Sequence, residues 1–221
     1  MRKPHLTTKK THTMITQHNF NANINNLDAL GTMLDLKPTE GLEGGTVLLM
    51  PHTFGPPPHF HPKQDEIFKV IQGELEVLKG KKWFTLKAGD KIFVSKRTPH
   101  TFRNVSNEIV VFDFAVTPKI GLTYLLLTLD ELVKAGKITS PKDIKSLLYL
   151  NRAMVSYPSV TQSVKPPQAF ARLMDFIARA LGFTIETEKF RAEFFRPVKL
   201  WKGQSKKPAD ISEEILEEAL F

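Results

Sequence analysis

Polar and apolar positions alternate in short runs through the middle of this chain, and the rhythm changes on either side. Residues 1–26 are rich in Thr, Asn, Lys and His, with few apolar positions. They read as a basic arm, with neither the apolar centre of a secretory leader nor the periodicity of a helix. From Leu27 to about residue 118 the apolar runs are short and punctuated by turn residues. Gly44 and Gly45 precede the run Thr46, Val47, Leu48, Leu49, Met50, which predicts a buried strand. Glu74, Leu75, Glu76, Val77, Leu78 alternates at period two, as a half-buried strand does. Further strands are predicted over 83–86, 91–94, 98–105 and 109–116. Many short strands with regular turns point to a closed antiparallel barrel of the jelly-roll kind.

After Pro118 the period lengthens. Residues 122–135 predict a helix stopped by Gly136. Ser140 followed by Pro141 predicts an N-cap and first helical residue, opening a second helix that runs to about 157. Pro166 and Pro167 open a third, stopped by Gly182. In it Phe170, Leu173, Phe176, Ile177, Ala180 and Leu181 recur at spacings of three and four, while Arg172, Asp175 and Arg179 share the opposite face. Residues 183–195 are expected to return as a strand or extended segment. The expected organisation is therefore an arm at 1–26, a β-barrel at 27–118, a helical appendage at 119–185 and an extension at 186–221.

The chemistry concentrates between 59 and 104. In a strand His59 and His61 face the same side and Phe60 the other. The turn through Pro62, Lys63, Gln64 and Asp65 brings Glu66 back beside them, and His100 arrives from a later strand. Three imidazoles and a carboxylate make a first shell for Fe, Mn, Ni, Zn or Cu. The plainer alternative is a barrel that keeps these groups for packing without a metal, at a considerable desolvation cost. Phe68, Val70, Phe102, Phe112 and Phe114 are candidate pocket walls, although plain core filling explains each equally well. His52 is expected as a pocket wall or an outward hydrogen-bonding group, and His5, His12 and His18 as solvated.

At these positions the chain resembles the cupin superfamily. The first cupin motif, G-x5-H-x-H-x(3,4)-E-x6-G, is met at His59, His61, Glu66 and Gly73, but its opening Gly falls on Thr53. The second motif, G-x5-P-x-G-x2-H-x3-N, is met at Gly89, His100 and Asn104. It departs at Ser95, where Pro is usual, and at Arg97, where Gly is usual. The resemblance covers roughly residues 40–117. It implies a mainly β fold, a cupin jelly-roll (double-stranded β-helix) barrel carrying a C-terminal α-helical appendage. It also offers precedents: dioxygenases, oxidases, isomerases, decarboxylases, and storage or sensor proteins.

Composition narrows the remaining choices. The chain has 221 residues and a formal charge of +8, of which Arg2, Lys3, Lys9 and Lys10 supply half. No recognition helix or basic–aromatic interleaving supports nucleic-acid binding, so none is expected. The lack of cysteine excludes disulfides, thiolate ligands and a Cys nucleophile, and fits a reducing, cytoplasmic setting. The expected function is oxygen-dependent, dioxygenase-like oxidation of a small organic substrate at one divalent transition metal. Glu66 serves there as ligand or, off the metal, as general base. A ligand-binding module and a metal-dependent isomerase are the alternatives. A homodimer is the expected assembly. The helical appendage is expected to pack on the barrel, to form a dimer interface, or to lie on a membrane surface, and its third-helix stripe is expected to be buried by docking.

Overall fold

The computed structural model describes residues 25–37 and 41–185. Eleven strands and three α-helices occur among them. β1 (Asn25–Leu27) leads through a single 3-10 turn into β2 (Thr32–Leu36). There follow β3 (Glu43–Leu49), β4 (His59–Phe60), β5 (Asp65–Gln72), β6 (Glu74–Lys79), β7 (Lys82–Lys87), β8 (Lys91–Val94), β9 (His100–Arg103) and β10 (Val110–Thr117). α1 (Leu122–Lys134), α2 (Ile144–Ser156), β11 (Gln162–Ser163) and α3 (Gln168–Ala180) complete the described chain.

The strands form two antiparallel sheets. One has the order β1-β2-β3-β10-β5-β8, the other β11-β4-β9-β6-β7. Their inner faces enclose one apolar core that includes Leu49, Phe68, Val70, Leu75, Val77, Val94 and Phe112. The period-two patterns produce this: each strand sends alternate side chains inward, and the two sheets share the burial. Two tight turns that carry the chain from one sheet to the other use glycine where the backbone turns left-handed, at Gly73 (φ 81°) between β5 and β6 and at Gly89 (φ 95°) between β7 and β8.

The helices are joined to the barrel. α1 buries Leu122, Leu125, Leu129 and Leu132 in the same core cluster. Its N-terminus is held by a residue from the barrel. Glu43 on β3 is almost wholly buried, and its Oε2 accepts from the backbone N–H of Ile120, Gly121 and Leu122 and from Gln64 Nε2. Its Oε1 accepts from Thr123 N. The carboxylate thus satisfies the donors that a helix start leaves open and sits at the positive end of the helix dipole. α2 and α3 are clamped by Asp175, which is buried on α3 and takes Arg152 of α2 at 3.0 Å and Arg179 at 2.9 Å.

Several expectations are corrected. The N-cap of α2 is Asp143, whose side chain accepts from Ser146 N at 2.8 Å; Ser140 and Pro141 lie in the preceding turn. The strand expected over 98–105 pairs only over His100–Arg103, because Pro99 and the turn before it leave the ladder. Residues 183–185 form no strand, and the rest of the 183–195 segment lies outside the described residues, as do His5, His12, His18, the basic arm and the C-terminal extension. The α3 stripe is not buried: Phe170, Leu173, Phe176 and Leu181 are 49%, 52%, 69% and 65% exposed. The small face of that helix, Ala171 and Ala178 with Asp175, is the one that packs, because short side chains let α2 approach closely enough for the Arg152–Asp175 pair. No helix among the described residues is long and apolar enough to cross a membrane.

Candidate metal centre

His59 and His100 are directly paired across β4 and β9, so one register brings two imidazoles together from residues 41 positions apart. His61 follows β4 by one residue. Its carbonyl accepts from Arg97 N at 2.8 Å, which fixes the chain where it leaves the ladder. Glu66 comes from β5 in the opposite sheet, between Val94 and Val116. The four groups therefore meet between the sheets, and all are buried.

Each imidazole is oriented in the same way. His59 Nδ1 lies 3.0 Å from the carbonyl of Pro57, His100 Nδ1 2.8 Å from that of Thr98, and His61 Nδ1 2.6 Å from that of Val160. A carbonyl can only accept, so each Nδ1 carries the proton and each Nε2 is left with its lone pair. One ligand atom from each of the three rings lies within 4.8 Å of those of the others. Glu66 Oε2 stands 2.8 Å from His100 Nε2 and 3.5 Å from His61 Nε2.

Two of these atoms test whether a cation fits. His100 Nε2 and Glu66 Oε2 are close, yet neither has a hydrogen-bond partner of proper alignment. Both are buried and carry lone pairs, and they stand 2.8 Å apart. A buried polar atom left unmet costs free energy, and a divalent cation between them meets both. Imidazole and carboxylate are the donors such an ion takes.

The electrostatics agree. Burial lowers the His59 pKa well below 6.5, and the neighbouring His100 and His61 lower it further, so His59 is held as the neutral ligand form. Burial also opposes a charge on His61, but the Glu66 carboxylate beside it outweighs that, and the His61 pKa is raised. Burial pushes Glu66 up, while the adjacent His100 and His61 rings bring it below the ordinary carboxylate range. Glu66 is therefore ionised.

The other expected site residues divide. Phe68 lies 6.4 Å from the His100 ring and stacks edge-on with Phe102 and Phe112, each at 5.9 Å. Phe68 is the ring beside the histidines, and Phe102 and Phe112 pack behind it. Val70 and Phe114 are buried in the same core. His52 stands apart: its Nε2 pairs with Asn107 Oδ1 at 2.9 Å in an exposed turn with φ 55°, the outward role rather than the wall. Asn104 is no ligand either. Its Nδ2 donates to the carbonyls of Leu49, Met50 and Glu108, which ties the loop behind β9. The Arg97 departure from the motif keeps the glycine conformation, with φ 64°.

Two participants were not read from the sequence. Val160 supplies the carbonyl that orients His61, and the adjacent β11 pairs Gln162 and Ser163 with Phe60 and His59. A backbone acceptor leaves no side-chain signature, so nothing in the sequence marks it. Thr161 beside it is buried, and its hydroxyl has no partner.

An antiparallel two-sheet barrel brings three imidazoles and a carboxylate together between its sheets, and the buried His59, His61 and His100 are compatible with a metal ion. Residues 45–117 match the family model of the Cupin domain, and this part of the chain is a cupin domain. Solved structures of similar fold include a cupin-superfamily sugar phosphate isomerase from Silicibacter pomeroyi, at 20% identity and TM-score 0.39, over 42% of this chain and 63% of that one. They also include KdgF from Halomonas sp., at 26% identity and TM-score 0.37, over 40% of this chain and 80% of that one. A third is an RmlC-like cupin from Shewanella frigidimarina, at 18% identity and TM-score 0.40, over 46% and 91%. The chain thus spans less than two thirds of the length of the first. A search of the curated proteins finds no match.

Proposed function

We propose that this protein is a metal-dependent oxidoreductase, binding one divalent transition metal through His59, His61, His100 and Glu66 and oxidising a small organic substrate with dioxygen. The observation that carries the reading is the shared orientation of the three rings, each Nδ1 spent on a carbonyl and each Nε2 turned to the centre. A bound metal of this class supplies Lewis acidity and, if redox-active, electron transfer, and four protein donors leave one or two positions on a five- or six-coordinate ion.

The chain's own residues do the rest. Ionised Glu66 offsets part of the charge of the cation, and neutral His59 offers it a lone pair. Phe68, Phe102 and Phe112 exclude water from one side and favour a planar, largely apolar substrate over a free sugar. Glu66 is also the acid–base group within reach of a substrate bound there; off the metal it takes a proton from a substrate hydroxyl or enolisable carbon.

The test has two stages. Protein expressed separately with Fe, Mn, Ni, Zn and Cu is subjected to elemental analysis, and about one ion per chain is expected. The Fe(II)-loaded protein is then assayed with an oxygen electrode against phenols, flavonols, 1,3-diketones and keto acids. Oxygen uptake in step with substrate loss supports oxidation. Turnover at full rate without oxygen assigns an isomerase, and tight binding of one ligand per chain without turnover assigns a binding module.

A further inference from the structure

We infer that the exposed face of α3 is a docking surface for an anionic lipid membrane, on which the protein lies through this helix. The inference is independent of the chemistry proposed for the barrel.

At about 100° per residue, Ala171, Asp175 and Ala178 fall on the packed side of α3. The opposite arc carries Phe170, Leu173, Phe176, Ile177 and Leu181, all exposed. No polar residue interrupts that arc. Soluble surfaces scatter single apolar residues, but a continuous stripe of this size marks an interaction site. α2 runs antiparallel to α3, with Asn151 bonded to Ala171 and Tyr149 stacked on Phe183. Its first turn therefore lies at the Leu181 end, where Ile144 and Leu147 are exposed as well.

Charge selects the occupant. The one acid of α3, Asp175, is buried between Arg152 and Arg179 and presents no negative charge outward. Arg172 and Arg179 border the apolar arc. The described chain ends at Ile185, one turn past the helix, and residues 189–207 then carry seven Lys or Arg against one Glu, interleaved with three Phe and Trp201. An apolar face edged by arginine, on a chain of net charge +8, is complementary to an anionic headgroup layer over an acyl interior. α3 has 13 residues, too few to span a bilayer, so it lies in the interface plane.

The experiment is flotation of the full chain with vesicles of 70% phosphatidylcholine and 30% phosphatidylglycerol, against vesicles of phosphatidylcholine alone. Binding to the anionic vesicles is expected, weakened by raising salt from about 0.1 M to about 0.5 M. The variant Leu173→Asp/Phe176→Asp is expected to bind at least about tenfold more weakly with unchanged melting, since both side chains are more than half exposed. Arg172→Glu, a second test that leaves the apolar arc intact, is expected to weaken binding to the anionic vesicles selectively. Failure of the wild-type chain to float with anionic vesicles overturns the inference, as does undiminished binding by the double variant. A wild-type dimer that the double variant converts to monomer, without lipid binding by either, assigns the face to a second copy. Lipid binding that appears only after deletion of residues 209–221 assigns it to the chain's own acidic tail.

Discussion

Replacing Glu43 with Ala should be among the most damaging single changes in the chain, although Glu43 touches neither the histidines nor the solvent. Its two oxygens accept five hydrogen bonds, four from backbone N–H groups at the start of α1 and one from Gln64. Truncation leaves those donors facing a space too enclosed for free hydration. An ordinary N-cap is worth about 1 kcal/mol. A buried donor left without its partner costs about 1–3 kcal/mol, and several are created together, though water entering the gap will recover part. Loss of one side of a buried charge-compensated cluster typically costs about 3–5 kcal/mol, and that is the range expected here. For a chain of this size about 1 kcal/mol corresponds to 2–4 °C, so a fall of about 6–20 °C in melting temperature follows. Glu43→Gln keeps the shape but turns an NH2 group toward backbone N–H donors, so an intermediate loss is expected. Thermal melting followed by circular dichroism reads both, with exposed Glu74→Ala as the control. Melting of Glu43→Ala within 2 °C of the control would refute the account of how α1 is held.

His59→Ala and His100→Ala should each lower metal content in proportion to the lost donor, at least about tenfold in affinity, while His52→Ala leaves it unchanged; elemental analysis after equilibration with a competing chelator decides. Metal affinity should fall as the medium is acidified, beginning above pH 6.5. The raised pKa of His61 means that protons compete for that ring before they compete for ordinary histidines. In the metal-free protein the signs separate. The His59 pKa is depressed, so the unfolded chain takes up a proton near pH 6.5 that the folded chain refuses, and stability falls as pH drops through that value. Glu66 is also depressed, so its contribution is present above about pH 4.5 and is lost as pH falls further. His61 runs the other way, its contribution being present below pH 6.5 and lost as pH rises through its raised folded value. Urea titrations of wild type, His61→Ala and Glu66→Gln across pH 4–8 separate the three. Arg97→Gly should be tolerated within about 1 kcal/mol, because relief of left-handed backbone strain offsets the added freedom of the unfolded chain, whereas Arg97→Val should cost about 1–3 kcal/mol. Chemical denaturation distinguishes the two.

The barrel and its histidine cluster were legible because both rest on local rules. Period-two alternation predicts strands wherever one face is buried. His59 and His61 two residues apart must share a face, whichever partner β4 meets. What sequence could not convey was which element closes over which. The stripe of α3 has the look of a buried face, and periodicity reports only that a helix is two-sided, not that a partner is present. The packed face instead uses Ala171 and Ala178, whose small size is a signal of close helix approach that a hydrophobicity pattern undervalues. Glu43 was invisible for a related reason. A lone acid before two glycines reads as a turn, and only the return of the chain at residue 120 converts it into a helix cap.

Those misses converge on the relation between barrel and helices. The boundary near residue 118 suggests a finished domain followed by an appendage, but two contacts cross it at sensitive places. The Val160 carbonyl fixes the ring orientation of a histidine in the metal centre, and β11 extends the sheet that carries two of them. In the other direction, the Glu43 carboxylate that anchors α1 also raises the proton affinity of His61 through its charge. A change in the packing of α1 or α2 is therefore felt at the metal centre as a shift in imidazole orientation or basicity, without any movement of the barrel strands. If α3 rests on a membrane, the same segment that meets the lipid, through β11 and Val160, is the one that sets a ligand's tautomer. The helices then act as part of the site rather than as cargo attached to it, and truncation at residue 118 removes the His61 acceptor along with the helices.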